Sequence, residues 1–374
     1  MDSSPGTKLR FFRGITYAIL WYFSIWTGFL FVCCPLWIFI LLFPKKFLPV
    51  MSVAFSIWEM YPVALMNLIF GTKIRITGDR INAKEISVII TNHRTRIDWN
   101  FMWAAMYYAC QPQTHRLKIA LKAPLRHMPS LGWVMQVANC IYLQRKWEND
   151  RITMKKQMEF FHDIGLEFQI LLFPEGTDLT KNSLDKSNEF AKKNNLPPYT
   201  QVLHPRTTGF TFLVDTMRSK KLNINAIYDV TLAYSGYMPQ TETDVIRGNF
   251  PKTVHFHINR YPIESLPKDQ DDLKSWINER WKEKENRLIE FHKHDCFPST
   301  SYYTSEMDNS LYLAFIVWTV LEFLMFYFFI TSSFFFWWTV LHTVLFVGIS
   351  YATLGFQNLT VSVFEYFHNT KKSH

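Results

Sequence analysis

The chain has 374 residues, room for one sizeable catalytic domain beside membrane segments but not for two large soluble domains. Its 40 Lys and Arg against 31 Asp and Glu give a formal charge of +9, which suits an anionic surface or ligand, while its 17% aromatic content lies in long apolar blocks and argues against a nucleic-acid partner. Cys33, Cys34, Cys110, Cys140 and Cys296 show no C-x-x-C spacing and no disulfide-scaffold density, which excludes a structural zinc site.

Residues 1–70 read as a membrane-embedded helical hairpin. From Gly14 to Phe43 no residue is charged, a run longer than the roughly 20 residues needed to cross a hydrocarbon core and too long for the apolar region of a cleaved signal peptide. Cys33 and Cys34 lie inside it and read as packing residues. The next apolar stretch, Phe47 to Phe70, carries Glu59 and Pro62 and suits a re-entrant or interfacial helix returning to the same face.

Residues 71–298 have the composition of an α/β domain. β-Branched runs at Lys73–Thr77, Ser87–Thr91, Leu117–Leu121, Cys140–Leu143, Gln169–Phe173, Ala226–Ala233 and Val254–Asn259 predict strands. Helical periodicity falls at Trp99–Tyr108, Asp150–Ile164, Phe210–Ser219 and Asp271–His292, the last with Lys282, Lys284 and Arg287 on what reads as a solvated face. Asn182–Tyr199, rich in Asn, Lys, Ser and Pro, reads as an exposed loop. Strands separated by helices imply a mixed, largely parallel sheet flanked by helices, with chemistry gathered at the loops leaving the strand ends. His255 and His257 alternate along one strand, facing solvent or packing against a helix.

Residues 299–374 hold a second apolar pair, Leu311–Ile330 and Phe334–Tyr351, broken by Thr331, Ser332 and Ser333 and interrupted by Glu322 and His342. The final Lys371, Lys372, Ser373 and His374 match a dilysine signal for retrieval to the endoplasmic reticulum; a basic tail on anionic lipid would look the same. As a retrieval signal the tail must be cytosolic, and an even number of crossings then puts the central domain on the cytosolic side. Asn358-Leu359-Thr360 fits a glycosylation sequon that a cytosolic or buried position would leave unmodified.

The chemistry-bearing residues begin after the strand Ser87–Thr91. Asn92-His93-Arg94-Thr95-Arg96-Ile97-Asp98-Trp99 puts a histidine in a loop and an aspartate five positions on, where a helix begins. A carboxylate folded back onto the imidazole would fix its tautomer and let it take a proton from a hydroxyl, with no serine nucleophile required. The same spacing also arises from a helix-capping aspartate beside a loop histidine. Two further features follow in order: Cys140 to Arg145 brings an arginine to a strand end, suited to bidentate phosphate binding. Phe173-Pro174-Glu175-Gly176-Thr177 then puts backbone amides and a hydroxyl where phosphate oxygens can be received. Ala226 to Thr231 would floor the site.

In order and spacing these segments resemble the four motifs of the glycerolipid acyltransferase superfamily, which includes the lysophosphatidic acid acyltransferases. Asn92 to Trp99, Phe173 to Thr180 and His204-Pro205-Arg206-Thr207-Thr208-Gly209-Phe210 are similar to the lysocardiolipin and lysophosphatidylinositol acyltransferase branch. The resemblance implies an acyl-CoA:lysophospholipid acyltransferase, with acyl-CoA as co-substrate and neither cofactor nor metal. It implies His93 as base, Asp98 as its partner, Arg145 as a phosphate ligand, and Glu175, Gly176 and Thr177 in the glycerophosphate site. Many superfamily members have arginine directly after Glu-Gly-Thr; this chain has Asp178, so a second cation is needed, and Arg206 and Lys122 are the candidates. Phosphatidic acid synthesis is the alternative reaction, and a lipid-binding scaffold the alternative without chemistry. A lysophospholipase would put water in the acceptor's place, but no G-x-S-x-G elbow is present.

Overall fold

The structure, a computed structural model, describes residues 5–111, 115–218, 222–298, 303–304, 306–352 and 355–372. The chain opens with helix α1 (Pro5–Gly28), which passes through a π-helical turn (Phe29–Cys33) into α2 (Cys34–Leu42). Phe43 breaks the helix and Pro44, which needs no amide donor at a first helical position, starts α3 (Pro44–Leu65). A second π turn ends at Gly71, whose φ of +67° lets the chain leave the helix.

The domain that follows runs β1 (Lys73–Gly78), β2 (Ile81–Asn82), β3 (Ser87–Thr91), α4 (Asp98–Ala109), β4 (Cys110–Gln111), β5 (Leu117–Lys122), α5 (Leu131–Val137), β6 (Ile141–Leu143), α6 (Trp147–Asp163), β7 (Gln169–Leu172) and α7 (Lys181–Lys193). It continues with α8 (Thr207–Arg218), β8 (Ala226–Gly236), α9 (Glu242–Ile246), β9 (Pro251–Pro262) and α10 (Gln270–His294). Strand β10 (Tyr303–Thr304) precedes the apolar helices α11 (Asn309–Thr331) and α12 (Ser333–Ala352), and α13 (Phe356–Lys372) follows them.

Among the described residues, eight strands form one sheet in the order β10-β1-β9-β8-β3-β7-β5-β6. β8, β3, β7, β5 and β6 run parallel, as does β1 beside β9, whereas β9 against β8 and β10 against β1 are antiparallel. The expected mixed, largely parallel α/β sheet is the fold observed. Its central strands β3 and β8 are buried nearly throughout, the pattern of strands covered on both faces. The sheet also reaches past residue 298, since β10 pairs with β1.

Each expected strand and helix has its counterpart, β8 and β9 being longer than their β-branched cores; Ser219, the last residue of one expected helix, lies outside the described residues. Asn182–Tyr199 is a correction, because α7 occupies most of it. Thr180 caps α7 by accepting the Ser183 amide at 3.2 Å, and the Ser183 hydroxyl accepts the Thr180 amide at 2.7 Å. Only Ala191 of this helix is fully buried, so little apolar periodicity marks it.

Among the described residues, the N-terminal and C-terminal apolar segments supply four helices long and apolar enough to cross a membrane. α11 and α12 turn Phe323, Ile330, Phe334 and Trp337 outward, the side-chain pattern of a lipid-facing surface. Cys33 and Cys34 are buried packing residues, as expected. Two polar groups of α3 meet the α/β domain: Glu59 is buried 2.9 Å from His115 Nε2, and Lys118 Nζ on β5 donates to Ser52 Oγ at 2.9 Å and the Ala138 carbonyl at 2.7 Å. At the other end α1 crosses the α9 turn so closely that a Cβ on Gly14 would lie 2.3 Å from the Ile246 carbonyl, and one on Gly248 1.9 Å from that of Arg10. Only glycine fits either position. The N-terminal apolar helices and the sheet are thereby locked together. Thr360 of the sequon is buried within α13, and Ser373 and His374 lie outside the described residues.

Candidate active site

The loops leaving β3, β6 and β7 converge at one end of the sheet, where a parallel arrangement gathers ligand chemistry. Asn92 fixes the first loop by clamping the Leu232 backbone, its Nδ2 donating to the carbonyl at 3.0 Å and its Oδ1 accepting the amide at 2.8 Å. His93 follows, half-buried, its ring 4.5 Å from that of Phe173.

Asp98, the first residue of α4, is fully buried and its carboxylate meets four donors. Oδ2 accepts from His93 Nδ1 at 2.9 Å and the Thr95 amide at 3.0 Å; Oδ1 accepts from Thr95 Oγ1 at 2.9 Å and the Tyr234 hydroxyl at 2.6 Å. A carboxylate saturated by donors is an ionised acceptor, so His93 Nδ1 carries the proton and Nε2 keeps its lone pair. Nε2 has no hydrogen-bond partner among the described residues. The arrangement can take a proton from a hydroxyl placed at Nε2 and stabilise the resulting imidazolium.

Across from His93 lies a rim of cations. Gly176, at φ +73°, turns the chain after β7, and Arg145, at φ +63°, does so after β6. A non-glycine residue in that conformation costs on the order of 1 kcal/mol and marks a functional site more often than a random one. Arg145 Nη2 donates to the Gly176 carbonyl, while Arg206 donates its amide to the Pro174 carbonyl at 2.8 Å and lays its guanidinium beside Gly176. A Cβ on Gly176 would come within 3.2 Å of Arg206 Nε, so the absent side chain is what admits the second arginine. Lys122, at the end of β5, is held below its usual pKa by partial burial, by Arg145 and by Arg96, against the pull of Asp178. Arg96, Lys122, Arg145 and Arg206 therefore form an exposed basic rim on the His93 side of the sheet. Thr177 Oγ1 is turned to Asp178 at 3.3 Å. The Leu179 amide donates to the His93 carbonyl at 2.8 Å, tying the two loops together.

Glu175 requires a correction. Its carboxyl is buried and turned inward, accepting from Trp281 Nε1 at 3.1 Å, so it cannot meet a ligand in front of His93. Burial pushes its pKa up to about 8, against the opposing pull of Trp281 and the nearby amides of Leu203 and His93. The Gly176 amide is likewise spent on the Phe173 carbonyl at 3.0 Å. The Glu-Gly-Thr turn thus shapes the site through its backbone path and through Glu175 behind it.

α10 is also more than a solvated face. Lys282 is exposed, but Lys284 is fully buried in an ion pair with Asp229 and donates to the Val230 carbonyl; Arg287 donates to Thr231 Oγ1 at 2.6 Å. Glu285 accepts from the Thr200, Gln201 and Val202 amides at 2.7, 2.8 and 3.1 Å, and the Gln201 carbonyl accepts Arg94 Nη1 at 2.6 Å. Residues flanking the His93 loop are thereby held from α10. Tyr234, Trp281 and Glu285 carry no motif signature; their roles come only from the strands and helices brought together. His255 packs against Phe291 of α10, with Ser235 Oγ 2.9 Å from its Nε2.

Residues 73–235 match the family described as acyltransferase, and residues 244–318 match the acyltransferase C-terminus. The chain is 43% identical to lysocardiolipin acyltransferase 1 of Gallus gallus, over 77% of this chain and 76% of that one. It is 48% identical to the protein of the same name in Mus musculus, over 63% and 62%, and 39% identical to lysophosphatidylinositol acyltransferase 10 of Caenorhabditis elegans, over 67% and 64%.

Proposed function

Since the chain belongs to the acyltransferase family and is an enzyme of that class, we propose that it moves a fatty acyl group from acyl-CoA to a hydroxyl of an anionic lysophospholipid, with His93 as general base. The observation that carries this reading is the 2.9 Å contact of His93 Nδ1 with the buried, four-donor Asp98 carboxylate, in a loop tied to the turn on which Arg145 and Arg206 meet Gly176.

In this reaction Nε2 takes the acceptor's hydroxyl proton as the oxygen attacks the thioester carbonyl. The tetrahedral adduct collapses, the carbon–sulfur bond breaks, and the imidazolium returns its proton to the departing CoA thiolate. The acceptor becomes an ester and no acyl-enzyme forms. Arg145, Arg206 and Lys122 supply phosphate-binding charge, with the two guanidiniums able to form paired hydrogen bonds to phosphate oxygens. They take the place of the arginine that Asp178 replaces. Lysophosphatidylinositol and monolysocardiolipin are the acceptors suggested by the relatives' names.

The membrane helices put this site beside its lipid substrate. Two crossings in each apolar pair would return the chain to its starting side, consistent with a catalytic domain facing the cytosol at the endoplasmic reticulum, where acyl-CoA is available. The test is full-length protein in detergent with radiolabelled acyl-CoA and, separately, lysophosphatidylinositol, monolysocardiolipin, lysophosphatidic acid or no acceptor. Labelled phospholipid from one of the first two supports the proposal. Product from lysophosphatidic acid alone points to phosphatidic acid synthesis, and free fatty acid released at the same rate without acceptor points to hydrolysis.

A further inference from the structure

A polar cavity of about 290 Å³ lies between the His93 loop, the end of β8 and the end of α10. Arg94, Tyr234, His292 and Asp295 supply its polar lining, with Ala233 and Leu288 among the apolar residues. Tyr234 places it on the Asp98 side, because its hydroxyl bonds Asp98 Oδ1, whereas His93 Nε2 lies on the edge of the imidazole facing away from Asp98. The cavity is therefore separate from the space in front of Nε2.

Its defining group is Arg94, which is only 7% exposed. Nη1 donates to the Gln201 carbonyl at 2.6 Å and to Gln201 Oε1 at 3.4 Å, but the guanidinium has no carboxylate in ion-pair contact among the described residues. Asp98, Glu175 and Glu285 act on it only at longer range. Burying a cation without a direct counter-ion is costly, and Arg94 lines the cavity with only Nη1 bonded among the described residues. His292 lines the same cavity, so two nitrogen-donor side chains converge on one space. Asp295, the one carboxylate in the lining, accepts the Ser235 hydroxyl through Oδ1 at 2.6 Å and makes no ion pair with Arg94 among the described residues. The volume sits at the lower end of ligand pockets, roughly 300 Å³, enough for a small phosphate ester.

We propose that this cavity is an anion site that takes a phosphate group between Arg94 and His292, supplied by a soluble phosphomonoester or by the headgroup of a membrane phospholipid. Planar guanidinium donors and an imidazole suit a tetrahedral oxyanion. The bound group would sit one residue from His93 and against the tyrosine that bonds Asp98.

The test reads binding, not acyl transfer, so it stands apart from the proposed reaction. Full-length protein carrying Arg145→Gln and Arg206→Gln, which weaken phosphate binding in front of His93, is titrated with inorganic phosphate in detergent while its thermal unfolding midpoint is followed. The same protein is compared in nanodiscs of phosphatidylcholine with and without phosphatidic acid. A bound anion raises the midpoint by mass action. Adding Arg94→Gln or His292→Gln should weaken the apparent affinity at least tenfold, whereas Lys293→Gln, an exposed change outside the lining, should leave it unchanged. His292 is exposed, so its replacement keeps the test valid if Arg94→Gln fails to fold. A rise with inorganic phosphate makes a soluble source sufficient, and a rise only with phosphatidic acid assigns the headgroup. Midpoints that respond to neither, or that respond equally with and without Arg94 and His292, overturn the proposal.

Discussion

Asp98→Asn separates the two services a carboxylate can give its histidine, orientation and charge. An asparagine at this position has one arrangement that keeps every hydrogen bond. Its carbonyl takes the Oδ2 position, still accepting from His93 Nδ1 and the Thr95 amide, and its amide takes the Oδ1 position facing the Thr95 and Tyr234 hydroxyls. Both hydroxyls can rotate to accept, whereas the Thr95 backbone amide cannot, so the flipped arrangement is disfavoured. The imidazole keeps its tautomer and loses only the negative charge beside the imidazolium that forms during proton transfer. A charge-assisted hydrogen bond exceeds a neutral one by about 1–2 kcal/mol, so the lost transition-state stabilisation should lower kcat by about 5- to 30-fold. Steady-state acyl transfer by purified Asp98→Asn, with circular dichroism and the unfolding midpoint as controls for folding, measures it. A loss below threefold, or one as deep as that of removing the imidazole, would refute this division of labour.

Three further outcomes follow from the same geometry. Arg145→Ala should raise KM for the acceptor by about tenfold, the value of one charge-assisted contact, with the unfolding midpoint nearly unchanged because the side chain is exposed. Glu175→Gln tests the buried carboxyl: an unfolded glutamate releases its proton near pH 4.5 and the folded one holds it to about 8, so this residue makes the wild type lose stability as pH rises through that window. Glutamine does not titrate, so the variant's stability should be flatter between pH 5 and 9 and should exceed that of the wild type at pH 9 by on the order of 5 kcal/mol, read from denaturant unfolding at each pH. Lys284→Met leaves Asp229 buried without its cation and should cost about 3–5 kcal/mol, while the double change with Asp229→Leu should recover much of it; an additive loss in thermal unfolding would contradict a coupled pair.

What the sequence made legible was whatever carried a period or a spacing. The strands of the sheet are short β-branched runs, and burial on both faces is what such runs signal. The five-residue gap from His93 to Asp98 is readable because a loop followed by a helix start brings those two side chains together locally. α7 was hidden because its polar residues outnumber its apolar ones and its start depends on Thr180 and Ser183, a weaker signature than a glutamate-bearing capping box. Glu175 shows a different limit: motif position puts it at the right strand end, but only the placement of Trp281 decides that its carboxyl faces inward. Lys284 looks like any charge on an amphipathic helix, and its partner Asp229 lies on a strand distant in sequence. Tertiary pairing of this kind leaves no local trace.

The most direct measurement is single-turnover acyl transfer from acyl-CoA to lysophosphatidylinositol or monolysocardiolipin by full-length His93→Ala with an unchanged unfolding midpoint. General-base catalysis contributes about 10²- to 10⁴-fold, so the rate should fall by at least a hundredfold while the acceptor still binds through Arg145 and Arg206. A His93→Ala protein that transfers the acyl group at the wild-type rate would contradict the account.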